Sequence, residues 1–400
     1  MDYNQDVLPA NVLHWNYRGF TEFPLSRLSG EESEVTDIYL KENLISRVPK
    51  EICRLENLES LYLSGNDITE LPKEISKLRC LKCLDVSGNR LRKLPDEVGE
   101  MRSLKFLILD ENELTELPLR LSELRALRYL SVCDNQILWL PQRPVYNYHH
   151  CEFRFWRNLR LKTIPYSLWY HMFRDQQTRS LNIGCLNVQT DLPAANKKIR
   201  LKIAQGSRER EIDINTPIQH DKIMGRNKIF PPSLYELARR KIYQILSDIA
   251  KRHTDHNEIS SWRDYNYNNV RNLEQNFEEF NIDSNYDING NNTVTPLNKI
   301  SNSGKVRSYY VPSDILNEHF RFLPQFMKVE LSNGPVSRCE NALCKIPVFD
   351  FVFYEFCFGK IVLIDNMTDV ILSAAFCSKT CADTWRIGKE VIPWSLIEDH

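Results

Sequence analysis

One grouping of residue types in this chain can do inorganic chemistry: Cys339-x4-Cys344 and Cys377-x3-Cys381, two close pairs separated by 32 residues. Four thiolates at the ends of a small sheet would bind one Zn²⁺ tetrahedrally, because a borderline cation favours sulfur and each short step brings two sulfurs to the same ion. Arg338, Lys345 and Lys379 would partly offset the negative charge of such a centre. Against this, the separation exceeds the usual ribbon spacing, and a free cysteine also serves as a small buried apolar residue. A structural zinc site and a plain thiol core both stay open. The segment between the pairs, 348–358 and 361–364, alternates aromatic and aliphatic residues, which predicts at least two strands to carry the cysteines and places Cys357 in the core. No G-x-S-x-G, phosphate loop or spaced Ser-His-Asp or Cys-His grouping occurs, so the chain is expected not to be an enzyme.

A second candidate site is a helix face. Pro231-Pro232-Ser233 precedes Leu234, Leu237, Ala238, Ile242 and Ile245, an apolar stripe at i, i+3, i+4, i+8 and i+11. Ser is a favourable N-cap, and Pro before it ends the preceding loop. Such a stripe either packs the helix onto a neighbouring core or inserts Leu234 into a partner's groove, with small Ala238 permitting close approach and Ile242 extending the contact.

The element that must position these sites is legible as a repeat. Asn43, Asn66, Asn89, Asn112 and Asn135 recur every 23 residues, each followed by an aliphatic residue two later and Pro six later. The unit L-x-x-L-x-L-x-x-N-x-L-x-x-L-P, as in Leu58, Leu61, Leu63, Asn66, Ile68, Leu71 and Pro72, is the leucine-rich-repeat pattern. It predicts a solenoid in which L-x-L forms a short strand and Asn bonds the backbone of the turn between repeats. Leu13 to Pro24 and Phe153 to Pro165 fit the template loosely, as terminal repeats do when one face has no neighbour. Short helices are expected to open after Pro49, Pro72, Pro95 and Pro118. Residues flanking the strand leucines point away from the core, so Tyr39, Tyr62, Asp85, Ile108, Ser131 and Arg154 form one column of a concave sheet, with Phe106, Tyr129 and Trp156 beside it. Aromatics with an Arg among them are the types that dominate interface hot spots, so a protein target is expected on this face.

A net charge of −1 argues against nucleic acid or an anionic membrane as partner. The start MDYNQD has no apolar core and no run approaches a membrane span, so the protein is expected inside the cell, cytoplasmic or nuclear, with its 11 cysteines reduced or ligating metal. The expected class is α/β, in four stretches. These are a solenoid with degenerate ends (1–195), a linker with the capped helix (196–252), an Asn-rich disordered insert (253–305), and a β-rich domain with both cysteine pairs (306–400).

Taken together, VLHWNYRGFTEFP at 12–24, the repeats, NLRLKTIPYSLWY, PPSLYELARRKIY, CENALC and FCSKTC resemble the leucine-rich repeat-containing protein 28 family. Related families, leucine-rich repeat protein 1 and leucine-rich repeat-containing protein 58, are substrate receptors of Elongin-cullin ubiquitin ligases. The resemblance implies that Leu234, Leu237, Ala238 and Ile242 form a BC-box docking on Elongin C, with Elongin B and a cullin assembled behind it and a cullin-contacting Pro motif at Val311-Pro312. The alternative is a free-standing leucine-rich-repeat scaffold in intracellular signalling, where the helix is only a cap.

Overall fold

The computed structural model describes residues 11–141, 151–175, 197–225, 230–261, 313–363 and 366–397, apart from Ser29, Glu31 and the turn at 206–207. Seven three-residue strands run parallel in chain order: β1 (Val12–His14), β2 (Asp37–Tyr39), β3 (Ser60–Tyr62), β4 (Cys83–Asp85), β5 (Phe106–Ile108), β6 (Tyr129–Ser131) and β7 (Glu152–Arg154). Their central residues align, and Ile38, Leu61, Leu84, Leu107 and Leu130 are wholly buried. The sheet is therefore fixed by one inward residue per repeat. Across the core from it, one-turn 3₁₀ helices open after Pro at Lys50–Arg54, Lys73–Lys77, Asp96–Glu100 and Leu119–Glu123.

The recurring Asn supplies the polar half of this architecture. Asn112 Oδ1 accepts from the Leu91 N–H at 3.0 Å, while its Nδ2 donates to the carbonyls of Val86 and Leu109, both at 3.0 Å. Asn66, Asn89, Asn135 and Asn158 repeat this three-way bond with their own neighbours. One neutral amide thus satisfies backbone groups of two adjacent repeats at a buried position, where an unmade bond is costly.

Beyond the seventh strand the chain changes sheets. β8 (Ile164–Pro165) pairs in parallel with β15 (Asn366–Phe376) in a four-stranded sheet ordered β11 (Lys222–Met224), β14 (Phe351–Leu363), β15, β8. One hydrophobic core runs unbroken from the repeats into this sheet, through Phe155, Leu161 and Ile164 to Phe356, Leu372 and Phe376. The end of the solenoid is sealed by the carboxy-terminal sheet and helix α1 (Tyr166–Asp175).

Two expectations need correction. Residues 197–215, expected as linker, are an antiparallel hairpin of β9 (Lys197–Gln205) and β10 (Arg208–Asn215), extended by β16 (Trp394–Leu396). Its buried Ile199, Leu201, Ile203, Ile212 and Ile214 alternate with charged residues, a period-2 signal masked by the excess of lysine and arginine. Helix α2 (Leu234–Ser261) continues past residue 253, so the expected insert does not begin there. The remainder of that insert, from 262, lies outside the described residues, as does Val311-Pro312. Helices α3 (Ser313–His319) and α4 (Gln325–Asn333) follow, then the small hairpin β12 (Ser337–Arg338) and β13 (Pro347–Val348), and α5 (Lys379–Arg386) after β15. No helix among the described residues is long and apolar enough to cross a membrane.

Candidate metal centre, outward helix face and concave sheet

Each cysteine pair is placed by a tight local element. The β12–β13 hairpin closes through the Cys339 N–H donating to the Ile346 carbonyl at 2.9 Å, and the Cys344 N–H bonds the Asn341 carbonyl at 3.0 Å. Cys377 directly follows β15, and Ser378 caps α5 by accepting from the Cys381 N–H at 3.3 Å. The four sulfurs come within 4.8 Å of one another. Cys344 Sγ lies 3.4 Å from Cys377 Sγ, which lies 3.8 Å from Cys381 Sγ. A tetrahedron with metal–sulfur bonds of about 2.3 Å has edges of about 3.8 Å, so this cluster can hold a metal ion with little movement. The backbone amides of Asn341 and Ile346 pull the Cys339 and Cys344 thiols down. The thiols nevertheless stand high. Cys339 is raised by its bond to Cys377 and by burial, and burial pushes Cys344 up to about 11, so a metal must displace protons. Cys357 is buried core, as expected.

Helix α2 begins at its expected cap, where Ser233 Oγ accepts from the Glu236 N–H at 3.1 Å. Over its first two turns the helix sets apolar residues outward and ions inward, and from Tyr243 on it packs an apolar face inward. Leu234 is 86% exposed, Leu237 and Ala238 are exposed, and only Ile242 is half-buried. The inward face instead carries Glu236, Arg239, Arg240, Tyr243, Leu246 and Ala250, all buried. The apolar stripe therefore does not seal the solenoid. Glu236, fully buried, accepts from Arg240 Nε at 2.6 Å, Arg239 at 2.9 Å, and the N–H groups of Phe349 and Asp350 at 3.2 and 3.4 Å. Arg239 also reaches Glu330 at 2.7 Å and Asp350 at 2.8 Å. Arg240 donates to the Cys377 carbonyl at 3.2 Å and the Phe351 carbonyl at 2.8 Å. Burial raises the Glu236 carboxyl, against the pull of Arg240.

A second outward stripe went unread in the sequence. Phe322, Phe326 and Val329 are exposed at i, i+4 and i+7 around α4. Tyr235 links it to α2, its ring 6.3 Å from that of Phe326 and its hydroxyl donating to Glu330 at 2.8 Å.

On the solenoid, strand register assembles the predicted column, Tyr39, Tyr62, Asp85, Ile108, Ser131 and Arg154, with His14 ahead of it. His14, Tyr39 and Tyr62 stack at 4.8 and 4.7 Å, and Lys41 Nζ stands 5.0 Å over Tyr62. Toward the other end, Phe106 is 45% exposed, Ile108 and Tyr129 are half-buried, and the Arg154 guanidinium lies 5.2 Å over the Tyr129 ring. Three members of the predicted surface are not open: Ser131 is wholly buried and donates to Asp110 at 2.6 Å. Trp156 is buried against Phe155, ring centroids 4.5 Å apart. Asp85 is buried too, because it accepts from Ser87 Oγ at 2.7 Å and faces Lys41 at 3.5 Å.

Comparison with known proteins falls on the repeats. Residues 42–138 match the family profile described as leucine-rich repeat region. No curated protein matches. Among solved structures, a leucine-rich repeat protein of Leptospira interrogans is 28% identical over 36% of this chain and 40% of its own length, with a TM-score of 0.28. The plant peptide hormone receptor RGFR1, solved with RGF2, is 22% identical over 33% of this chain and 26% of that one, TM-score 0.29. The ectodomain of the receptor kinase SOBIR1 from Arabidopsis thaliana is 27% identical over 32% of this chain and 72% of that one, TM-score 0.29. The chain spans under half the length of the first two. The carboxy-terminal cysteine cluster and α2 lie beyond the matched profile, and residues 42–138 carry the leucine-rich repeats.

Proposed function

We propose that this chain is a non-enzymatic protein-interaction subunit, the substrate receptor of an Elongin B/C-cullin ubiquitin ligase. The concave sheet holds the protein target, the α2 stripe docks on Elongin C, and the ligase chemistry belongs to the assembled complex. One observation carries this reading: α2 turns Leu234, Leu237 and Ala238 outward and buries charged residues beneath. Burying ions costs several kcal/mol per charge before pairing offsets it, so a helix meant only as a cap would be expected to face the other way. The resemblance to the leucine-rich repeat-containing protein 28, leucine-rich repeat protein 1 and leucine-rich repeat-containing protein 58 families supplies the identity of the groove. The exposed Phe322, Phe326 and Val329 extend the apolar surface beside it. One Zn²⁺ on Cys339, Cys344, Cys377 and Cys381 is part of the proposal, as a structural ion. The scaffold alternative keeps the concave face and leaves the α2 stripe without a use.

The test is binding of purified Elongin B–Elongin C heterodimer to the full chain. Leu234→Asp with Ala238→Asp should abolish binding while circular dichroism and melting stay unchanged, because both positions are exposed and a charge in a desolvated groove costs a full hot spot, about 2–4 kcal/mol. No binding by the unaltered chain, or equal binding by the double variant, removes the Elongin reading and leaves the scaffold.

A further inference from the structure

The cysteine cluster and the outward helix are joined by direct contacts, which reach the Cys339–Cys344 hairpin and Cys377. Arg240 of α2 donates to the backbone carbonyl of Cys377 itself. Arg338, the residue before Cys339, lays its guanidinium 5.9 Å over the ring of Tyr243, on the inward face of α2. Glu236 accepts the N–H groups of Phe349 and Asp350, which directly follow β13, the second leg of the Cys339–Cys344 hairpin. Phe349 also packs with Tyr243 and Leu246 of the helix. The first three turns of α2 therefore rest on a hairpin only two residues long on each leg, together with the end of β15.

So short a hairpin has little stability of its own. What fixes it against β15 and α5 is its sulfur pair, Cys339 and Cys344, meeting Cys377 and Cys381. A metal bound by all four would lock the two segments into one platform. A zinc tetrathiolate also carries a net charge of about −2, which favours the guanidinium held beside it. Without the ion the hairpin is tied to β15 and Cys377 through the Glu340 N–H to the Ala375 carbonyl at 2.9 Å, the weak Cys344–Cys377 thiol contact at 3.4 Å and packing. On the far side, α4 keeps a grip on α2 through Glu330 with Tyr235 and Arg239.

We infer that metal occupancy of the Cys339, Cys344, Cys377 and Cys381 cluster sets the placement of α2, with Glu236, Arg240 and Arg338 as the positioning residues, so that the outward stripe is presented as a docking surface while the metal is held. The use of the stripe rests on the Elongin reading; the mechanical coupling does not. The device makes partner docking depend on a divalent thiophilic cation, and it gives the buried charges under α2 a task that an apolar face could not perform, namely bonding the backbone of a metal ligand.

The experiment is hydrogen exchange on the full chain loaded with one equivalent of Zn²⁺, before and after removal of the ion by a chelator. Amides of 235–246 should lose at least tenfold in protection on removal, while those of Leu61, Leu84 and Leu107 change little. Arg240→Met, measured with Zn²⁺ in place, should retain the metal and reproduce most of that loss, and chelation should then add little more. Elongin B–Elongin C affinity, read in parallel, should fall by a similar factor in both cases. Failure of the chain to take up Zn²⁺, unchanged helix protection after its removal, or full protection in Arg240→Met each overturns the coupling. The Arg240→Met arm still decides the matter if chelation unfolds the whole chain. A helix that loosens as expected in a chain that never binds Elongin B–Elongin C leaves the coupling standing and sinks only the docking.

Discussion

The solenoid and the ground beneath α2 both bury polar groups, by opposite means. In the repeats the buried polar atom is a neutral Asn amide whose partners lie 3, 21 and 26 residues away at Asn66, Asn89, Asn112, Asn135 and Asn158 alike. Under α2 the buried groups are ions, and their partners come from Glu330, Phe349, Asp350, Phe351 and Cys377, far along the chain. The first arrangement is modular and insensitive to pH. The second ties distant segments together, and it fails as a unit when one member is lost.

Metal removal should separate the two regions most sharply. Elemental analysis of chain purified without chelator is expected to give close to one Zn²⁺ per molecule. Structural zinc contributes on the order of 10 kcal/mol of apparent binding free energy at neutral pH, so chelation should melt the carboxy-terminal elements first. Because the thiols of Cys339 and Cys344 stand above their ordinary value, each must release a proton to the solvent on ligation. Affinity therefore falls as pH falls, and titration from pH 7.5 to 5 should release the ion. A metal content near zero in folded protein would mean that the thiols are plain core.

Single substitutions come next. Glu236→Gln leaves Arg239 and Arg240 buried without their shared carboxylate and should cost about 3–5 kcal/mol in chemical denaturation. Glu236→Leu combined with Arg240→Met should recover part of that loss, since removing both partners of a buried pair is milder than removing one. Asn112→Ala should cost about 3 kcal/mol, because the Leu91 N–H and two carbonyls lose their partner in a buried turn. No second substitution nearby can repair it. Equal rescue of both sites would erase the distinction drawn between them.

The pH response sharpens the same contrast. Glu340, buried beside the hairpin, has its carboxyl pushed up to about 7 by burial, against the pull of Lys345. Between an unfolded value near 4.5 and that figure the folded chain binds the extra proton. Stability contributed by this group is thus greatest at low pH and is lost as pH rises to about 7, by up to about 3 kcal/mol, then levels off. Glu340→Gln should flatten this part of the curve. Parallel curves for the two proteins would show that Glu340 ionises freely.

What the sequence made legible follows from these differences. The Asn period and the leucine register are local and repeated, so strand order and inward residues could be read directly. The four cysteines announced themselves by type and spacing. Glu236, Arg239 and Arg240 at i, i+3 and i+4 look the same on paper whether solvated or buried, and only Glu330, Asp350 and the Cys377 carbonyl decide which. Direction also proved a weaker guide than register suggests. Trp156 folds onto Phe155, Asp85 bonds Ser87 and Ser131 bonds Asp110, so three residues expected outward are covered.

The smallest effect expected is on the concave sheet. Phe106, Tyr129 and Arg154 sit on adjacent strands at the carboxy-terminal end of the sheet, and Arg154 is held over Tyr129 with its other contact to Glu152 at 2.7 Å. Their exposure gives a partner an aromatic surface with one cation at the sheet's last strand, residue types that often carry interface energy. Changing all three to Ala should weaken target capture by about 2 kcal/mol in sum while leaving the fold and the proposed Elongin docking unaltered. Trp156→Ala should do the reverse. Its ring is buried, so it should destabilise the last repeats by about 3 kcal/mol and affect capture only through that loss. Proximity labelling in cells with the two variants separates the roles. An unchanged partner set for the triple variant moves target recognition off this face and onto the apolar surface of α2 and α4.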